Sequence, residues 1–257
     1  MKDLLLERHR GVLERLASSR ALLAFDYDGV LAPLVADPRG ARMRRSTRRL
    51  LARVAARWPC AVVSGRAWRH TRQLTEGLVP VVVGNHGYEL GRERPVPRAL
   101  LGRVRGWRAE IERALDGAGI HVEDKRSTLS VHYGLTRGWR AVEAEVERAA
   151  RRLEGARLVA GKKVLNVIPA DFPDKGDALR ALLRRQRLDV ALFAGDDVTD
   201  EDAFAVGPPL VLGVRVGPGR TRAPYRLECQ ERVDELLARL GELRPPDGGA
   251  ARGRRLR

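Results

Sequence analysis

The chain predicts an α/β fold in which a parallel sheet is covered by helices on both faces and a smaller α+β block is inserted into it. Three observations predict this. Short runs rich in Val, Leu and Ala alternate with amphipathic stretches, the pattern of strands buried on both faces and the helices that bury them. Between Tyr88 and Pro169 the pattern changes to helix, strand, strand, helix, strand, strand. Groups of polar residues follow several of the apolar runs, where open parallel sheets bind their ligands.

The strands expected of the sheet are Ala21 to Phe25, Cys60 to Val63, Val81 to Gly84, Val190 to Ala194 and Leu210 to Val214. Leu50, Leu51, Val54 and Trp58 mark the apolar face of one intervening helix, and Leu179, Leu182 and Leu183 that of another. Within the inserted block, Thr128 to Tyr133 and Val164 to Ile168 alternate as strands do. The expected organisation is a first core part over 1–89, a cap domain over 90–169, a second core part over 170–243 and a disordered Pro/Gly/Arg-rich tail over 244–257. The leucines from Met1 to Ser19 are spaced as in a helix and are interleaved with charges, unlike a secretory signal.

Hydrophobic residues make up 44% and charged residues 32% of the 257, a soluble mixture without the roughly 20-residue apolar run of a membrane span. A cytoplasmic protein without membrane contact is expected. Cys60 and Cys229 lie far apart and form no metal or redox motif, so free thiols are expected. The net charge of +16 invites a nucleic-acid reading. Its distribution argues against one, because arginines are spread over every expected helix and form no single stripe with aromatics. Only five of the 49 basic residues are Lys. Four of those, Lys125, Lys162, Lys163 and Lys175, fall in segments that stand out on other grounds.

The strongest local signal is Phe25-Asp26-Tyr27-Asp28-Gly29-Val30 directly after the first strand. Carboxylates one residue apart on a turning backbone can share a hard cation, and different surroundings can split them into a nucleophile and an acid/base. An ordinary turn or a calcium-loop fragment has the same local pattern. Five acids in seven positions, Asp196, Asp197, Asp200, Glu201 and Asp202, follow the strand that ends at Ala194. Such a cluster repels itself unless a cation relieves it, although acids also suit a helix N-terminus. Ser64-Gly65-Arg66 follows another strand and is expected to open a helix, offering a hydroxyl and N–H groups to an anion. Asp174-Lys175-Gly176-Asp177 opens a further helix, with Asp174 as its N-cap. Lys175 sits unfavourably for the helix dipole unless a phosphate or another anion lies nearby.

This order of motifs resembles the haloacid dehalogenase superfamily of phosphotransferases. Within it, Gly84-Asn85-His86-Gly87, Glu123-Asp124-Lys125, Val131-His132-Tyr133 and Gly195-Asp196-Asp197-Val198-Thr199-Asp200-Glu201-Asp202-Ala203-Phe204 look like the trehalose-6-phosphate phosphatases. The resemblance implies a haloacid-dehalogenase-like Rossmannoid core with an inserted cap that closes over it. It implies Asp26 as covalent nucleophile, Asp28 as acid/base, and Ser64 and Lys175 on the phosphoryl oxygens. Mg²⁺ would be held by Asp26, the backbone of Asp28 and Asp196, with Asp197 and Asp200 around its waters. Arg66, His86, Glu123, Lys125, Lys162 and Asn166 would meet the substrate, a small-molecule sugar phosphate. A trehalose-phosphate synthase is the protein partner the resemblance implies, and the chain itself is expected to be a monomer.

The match departs from the family in Val164-Leu165-Asn166-Val167-Ile168-Pro169, where the family carries Glu and Arg. An amide there forgoes a carboxylate's charge-assisted bonds to hydroxyls. Two further readings stay open: a phosphatase for another glycosyl phosphate, of sucrose, glucosyl or mannosyl type, and a non-catalytic phosphosugar sensor. A receiver-type signalling domain shares the acids and the lysine but lacks the four-motif order and the insertion.

Overall fold

The computed structural model describes residues 2–35, 37, 40–134, 136, 138–161 and 163–244. Nearly all of the expected tail lies outside these residues. In chain order the strands are β1 (Lys2–Asp3), β2 (Ala21–Phe25), β3 (Cys60–Val63), β4 (Val81–Gly84), β5 (Glu89–Leu90), β6 (His121–Asp124), β7 (Leu129–His132), β8 (Ala156–Gly161), β9 (Val164–Pro169), β10 (Val190–Gly195), β11 (Val211–Val216) and β12 (Tyr225–Leu227). The α-helices are α1 (Arg10–Ala17), α2 (Arg45–Ala55), α3 (Trp68–Leu74), α4 (Arg98–Ala114), α5 (Trp139–Ala150), α6 (Lys175–Gln186), α7 (Glu201–Val206) and α8 (Arg232–Leu243). Two compact units result. One comprises the residues up to Glu93, Pro173–Asp196 and those from Asp200 onward; the other comprises Arg94–Phe172 with Asp197–Thr199.

The first unit holds an eight-stranded sheet in the order β1-β12-β11-β10-β2-β3-β4-β5. Every pairing in it is parallel except β4 with β5. The period of two sends alternate residues of β2 to opposite faces. Leu23 and Phe25 pack with Leu51, Val54, Leu236 and Leu240, whereas Leu22 and Ala24 pack with Leu179, Leu182 and Phe204. All of β2 is buried, and truncating one of its leucines to Ala is expected to cost about 2–5 kcal/mol. β2 and β10 lie side by side, with Phe25 opposite Ala194. The two acidic segments therefore leave the sheet next to each other.

The N-terminus departs from the single helix that its leucine spacing suggests. Lys2–Asp3 instead pairs with Tyr225 and Arg226 as an edge strand, and Leu4 and Leu5 are both buried. Leu4 N–H donates to the Arg226 carbonyl at 3.2 Å, so the backbone finds its partners in the sheet before α1 begins. β12, which supplies them, has only three residues and carries no alternation long enough to read.

The second unit is a four-stranded antiparallel sheet, β6-β7-β9-β8. Leu129, Val131, Leu165 and Val167 join Leu100, Val104, Trp107 and Ile111 of α4 and Val146 of α5 in one apolar cluster. The other sheet face carries His121, Glu123, Ser130, His132 and Asn166, and it is polar along β6 and β7. Among the described residues, no helix is long and apolar enough to cross a membrane.

Candidate active site

The chain reverses sharply after β2. Gly29 N–H donates to the Ala32 carbonyl and Ala32 N–H to the Tyr27 carbonyl, both at 2.8 Å. Gly29 adopts φ +72°, and a Cβ there would lie 2.2 Å from Asp196 Cγ. Only glycine meets both demands. Asp26 ends up 6% exposed, with its Oδ1 accepting from Tyr27 N–H at 2.6 Å.

Lys175 enters the same spot from the first turn of α6. Asp174 caps that helix reciprocally: its side chain accepts from Asp177 N–H at 2.8 Å, and its own N–H donates to the Asp177 carboxylate at 3.4 Å. Lys175 is buried, and its Nζ donates to Asp26 Oδ2 at 2.7 Å and to Asp200 Oδ1 at 2.6 Å. Asp200 uses its other oxygen to accept from Asp196 N–H at 2.7 Å. The anion expected beside Lys175 is thus supplied first by the protein's own carboxylates.

Burial disfavours the ammonium, but Asp200 and Asp26 outweigh it, and the Lys175 pKa rises. Burial pushes the Asp26 pKa well above the carboxylate range; Lys175 pulls it back, and Asp200 and Asp196 add to the rise. Asp26, Asp196 and Asp200 each offer an oxygen within 4.8 Å of the others'. Three carboxyl groups around one ammonium leave the dry site net negative even when Asp26 is protonated, and the donors are all hard oxygens. That charge and donor set suit a divalent cation of the Mg²⁺ or Ca²⁺ type.

Ser64, at the end of β3, is buried, and its Oγ accepts from Arg66 N–H at 3.2 Å. The helix does not open at Ser64-Gly65-Arg66 but at Trp68, leaving these residues in the turn. Arg66 donates from Nε and Nη2 to the two oxygens of Asp28, at 2.6 and 2.7 Å. The arginine expected at the substrate thus grips the expected acid/base. His86 lies at φ +58° with its ring against the turn, where a Cβ on Gly65 would come within 2.5 Å of His86 Cε1.

Glu123, Lys125 and Asn166 belong to the second unit. Glu123 and Lys125 flank the end of β6, with Lys125 Nζ 3.9 Å from Glu123 Oε2. Asn166 sits in β9 and is 7% exposed; its oxygen accepts from Ser130 Oγ at 2.6 Å, and its amide donates to the Val159 carbonyl at 3.3 Å. One lone pair and one N–H are all that these bonds leave Asn166 for a sugar hydroxyl. Asp197 is half-buried in its loop, and Lys162 lies outside the described residues.

Two further residues hold site residues in place: Glu89, outside the motifs, and His132, which lies inside the Val131-His132-Tyr133 match without an assigned role there. Glu89 is buried, and its Oε2 accepts from Trp68 N–H at 2.7 Å and Asn85 Nδ2 at 2.9 Å, tying the turn after β3 to the turn after β4. Its only signal is an acid just behind Gly84-Asn85-His86-Gly87. His132 lies beside Glu123, with Nε2 and Oε2 3.0 Å apart. Its signal is a histidine in the strand that pairs with Glu123-Asp124-Lys125.

A family model described as trehalose-phosphatase matches residues 24–229. The chain belongs to the trehalose-phosphatase family. A Zea mays trehalose 6-phosphate phosphatase is 33% identical over 255 residues, covering 87% of this chain and 71% of that protein. Trehalose-phosphate phosphatase B of Arabidopsis thaliana is 30% identical over 255 residues, covering 88% and 68%. The C-terminal domain of Candida albicans trehalose-6-phosphate phosphatase superposes with a TM-score of 0.78 over 91% of this chain and 96% of that one, at 23% identity. That superposition bears on the fold, and the fold is that of the haloacid dehalogenase phosphatases. In this trehalose-phosphatase family member Asp26, Asp28, Asp196, Asp200, the Ser64 turn and Lys175 belong to the first unit, and Asp197 falls with the second.

Proposed function

We propose that the protein hydrolyses trehalose 6-phosphate to trehalose and phosphate, as a Mg²⁺-dependent cytoplasmic enzyme of trehalose biosynthesis. Family membership supports the substrate, and one observation supports the chemistry: Lys175 Nζ lies between Asp26 and Asp200 in a buried site.

In this reading an oxygen of Asp26 attacks phosphorus, the bond from phosphorus to the sugar oxygen breaks, and an aspartyl-phosphate remains. Asp28 gives a proton to the departing oxygen, a poor leaving group as an alkoxide. It then takes a proton from the water that attacks the aspartyl-phosphate, and phosphate leaves with Asp26 restored. Both Asp28 oxygens accept from Arg66, so the proton uses the lone pair that Arg66 leaves open on one of them. Ser64 and Lys175 hold the phosphoryl oxygens. Asp200 keeps Lys175 in place and so preorganises charge that water would otherwise have to reorient to supply. Asp26, Asp196 and the Asp28 carbonyl would hold Mg²⁺, with Asp197 and Asp200 around it; bound there it supplies neutralisation of the phosphoryl charge. Glu123 and Lys125 of the second unit, with the remaining capacity of Asn166, bind the sugar.

The test is phosphate release from a panel of sugar phosphates with Mg²⁺, using wild type and Asp26→Asn. Wild type should be fastest on trehalose 6-phosphate, and Asp26→Asn should lose about 10⁴-fold or more. Faster release from sucrose 6-phosphate or a glucosyl or mannosyl phosphate would replace the substrate, and undiminished release by Asp26→Asn would remove the nucleophile.

A further inference from the structure

The two faces of the second unit's sheet differ in chemistry. One is buried against α4 and α5; the other carries His121, Glu123, Ser130, His132 and Asn166, placed together by the pairings His121 with His132, Glu123 with Ser130, and Ser130 with Asn166. On this polar face Asn166 and Ser130 are buried and bonded to each other. Glu123 differs: its side chain is 46% exposed. It lies diagonally across the strand pair from His132, whose Nε2 is 3.0 Å from Glu123 Oε2. His121 stacks on His132 with ring centroids 5.9 Å apart and planes 30° apart, which limits the imidazole's rotation. Lys125 Nζ lies 3.9 Å from the same oxygen, a distance for charge attraction that is too long for a hydrogen bond between these two atoms.

We propose that His132 is a positioning residue for sugar recognition, holding the Glu123 carboxylate in the orientation in which it accepts from hydroxyls of the disaccharide. The proposal rests on the reading of the second unit as the sugar-binding one. An ionised carboxylate only accepts, so Nε2 must carry the proton and donate it. An exposed glutamate with three rotatable side-chain bonds loses rotamer freedom when it binds a ligand, and a neighbour that has already fixed it removes part of that cost. His132 supplies the fixing bond, and His121 keeps His132 in place to supply it. Asn166, its amide committed to Ser130 and Val159, leaves Glu123 as the charged acceptor on which discrimination among sugars turns.

The test is steady-state hydrolysis of trehalose 6-phosphate with Mg²⁺ by wild type, His132→Ala, His132→Gln, Glu123→Gln and the His132→Ala/Glu123→Gln pair, each checked for folding by its melting curve. His132→Ala should raise KM roughly tenfold while kcat moves less than about threefold, the signature of lost binding common to ground and transition states. His132→Gln, which restores an N–H donor, should recover most of the loss. The double variant should be no weaker than Glu123→Gln alone, since His132 acts through Glu123. If His132→Ala does not fold, His132→Phe keeps a ring on His121 and removes the donor. An unchanged KM in the donorless variant, or effects that multiply in the double variant, would overturn the proposal. Should wild type prefer another sugar phosphate, the proposed substrate falls, and the same ratios measured on the preferred substrate still decide the role of His132.

Discussion

The two units each pair a lysine with a carboxylate, and the pairs are built in opposite ways. Lys175 is 1% exposed and touches Asp26 at 2.7 Å and Asp200 at 2.6 Å. Lys125 stands 3.9 Å from Glu123, whose side chain is 46% exposed. At about 4 Å two unit charges interact by roughly 1 kcal/mol in water and 4 kcal/mol at an effective dielectric of 20. The first unit therefore has charges fixed beforehand, which suits stabilisation of a charged transition state. In the second the lysine side chain is 12% exposed but stands off at 3.9 Å, leaving the half-exposed carboxylate adaptable, which suits recognition of a neutral polyhydroxyl surface.

Breaking the buried pair should have the largest effect. Lys175→Met leaves Asp26, Asp196 and Asp200 without their ammonium and is expected to cost about 3–5 kcal/mol in urea denaturation, besides abolishing phosphate release. Lys125→Met should cost less than about 1 kcal/mol by the same measurement. Equal losses would mean that the contrast between the units is not one of solvation.

The geometry around the buried cluster can be perturbed without touching a charge. Gly65→Ala places a methyl 2.5 Å from His86 Cε1 and shifts the turn that carries Ser64 and Arg66. A displacement of about 1 Å can cost roughly 100-fold in rate. Initial rates at saturating substrate should fall by roughly that factor, with KM changing much less.

A divalent cation should stabilise the first unit selectively. Mg²⁺ at a hundred times its dissociation constant is worth about 2.7 kcal/mol, a rise in Tm of roughly 5–10 °C at this size. Chelator should reverse it, and Asp196→Asn should remove most of it. Hydrogen exchange followed with and without Mg²⁺ should show the added protection near β2 and β10 and little in β6–β9.

The smallest effect concerns alkaline pH in the second unit. Burial, then the bond to Glu143 Oε1 at 2.7 Å, raises the Tyr133 pKa. Because the folded value lies above the unfolded one of about 10, the stabilisation is complete below that pH and is lost as pH rises beyond it. Melting curves of wild type and Tyr133→Phe from about pH 8 to 11 should therefore converge as pH rises.

Some of this architecture can be read directly from residue order. β2, β3 and β4 coincide with the apolar runs that mark them, because a strand buried on both faces has little choice but Val, Leu, Ala and Phe. The acids of the two segments are likewise visible, since like charges crowded at a strand end call for a cation or a lysine. The edge strands β1 and β5, and β12 next to β1, leave no such trace. They have two or three residues each, too few for a period, and their existence depends on the neighbour they pair with.

The sequence by itself determined the kind of sheet, the inserted block and which residue types could do phosphoryl chemistry, because hydrophobic period and charge crowding are local properties. Only the tertiary structure decided what each charge holds. Arg66 grips Asp28, Lys175 is shared between Asp26 and Asp200, Glu89 fastens two turns, Asn166 turns to Ser130, and His132 meets Glu123. Those partners lie 4 to 149 positions apart in the chain, and a hydrogen bond is chosen by distance and direction in space, which residue order alone does not encode.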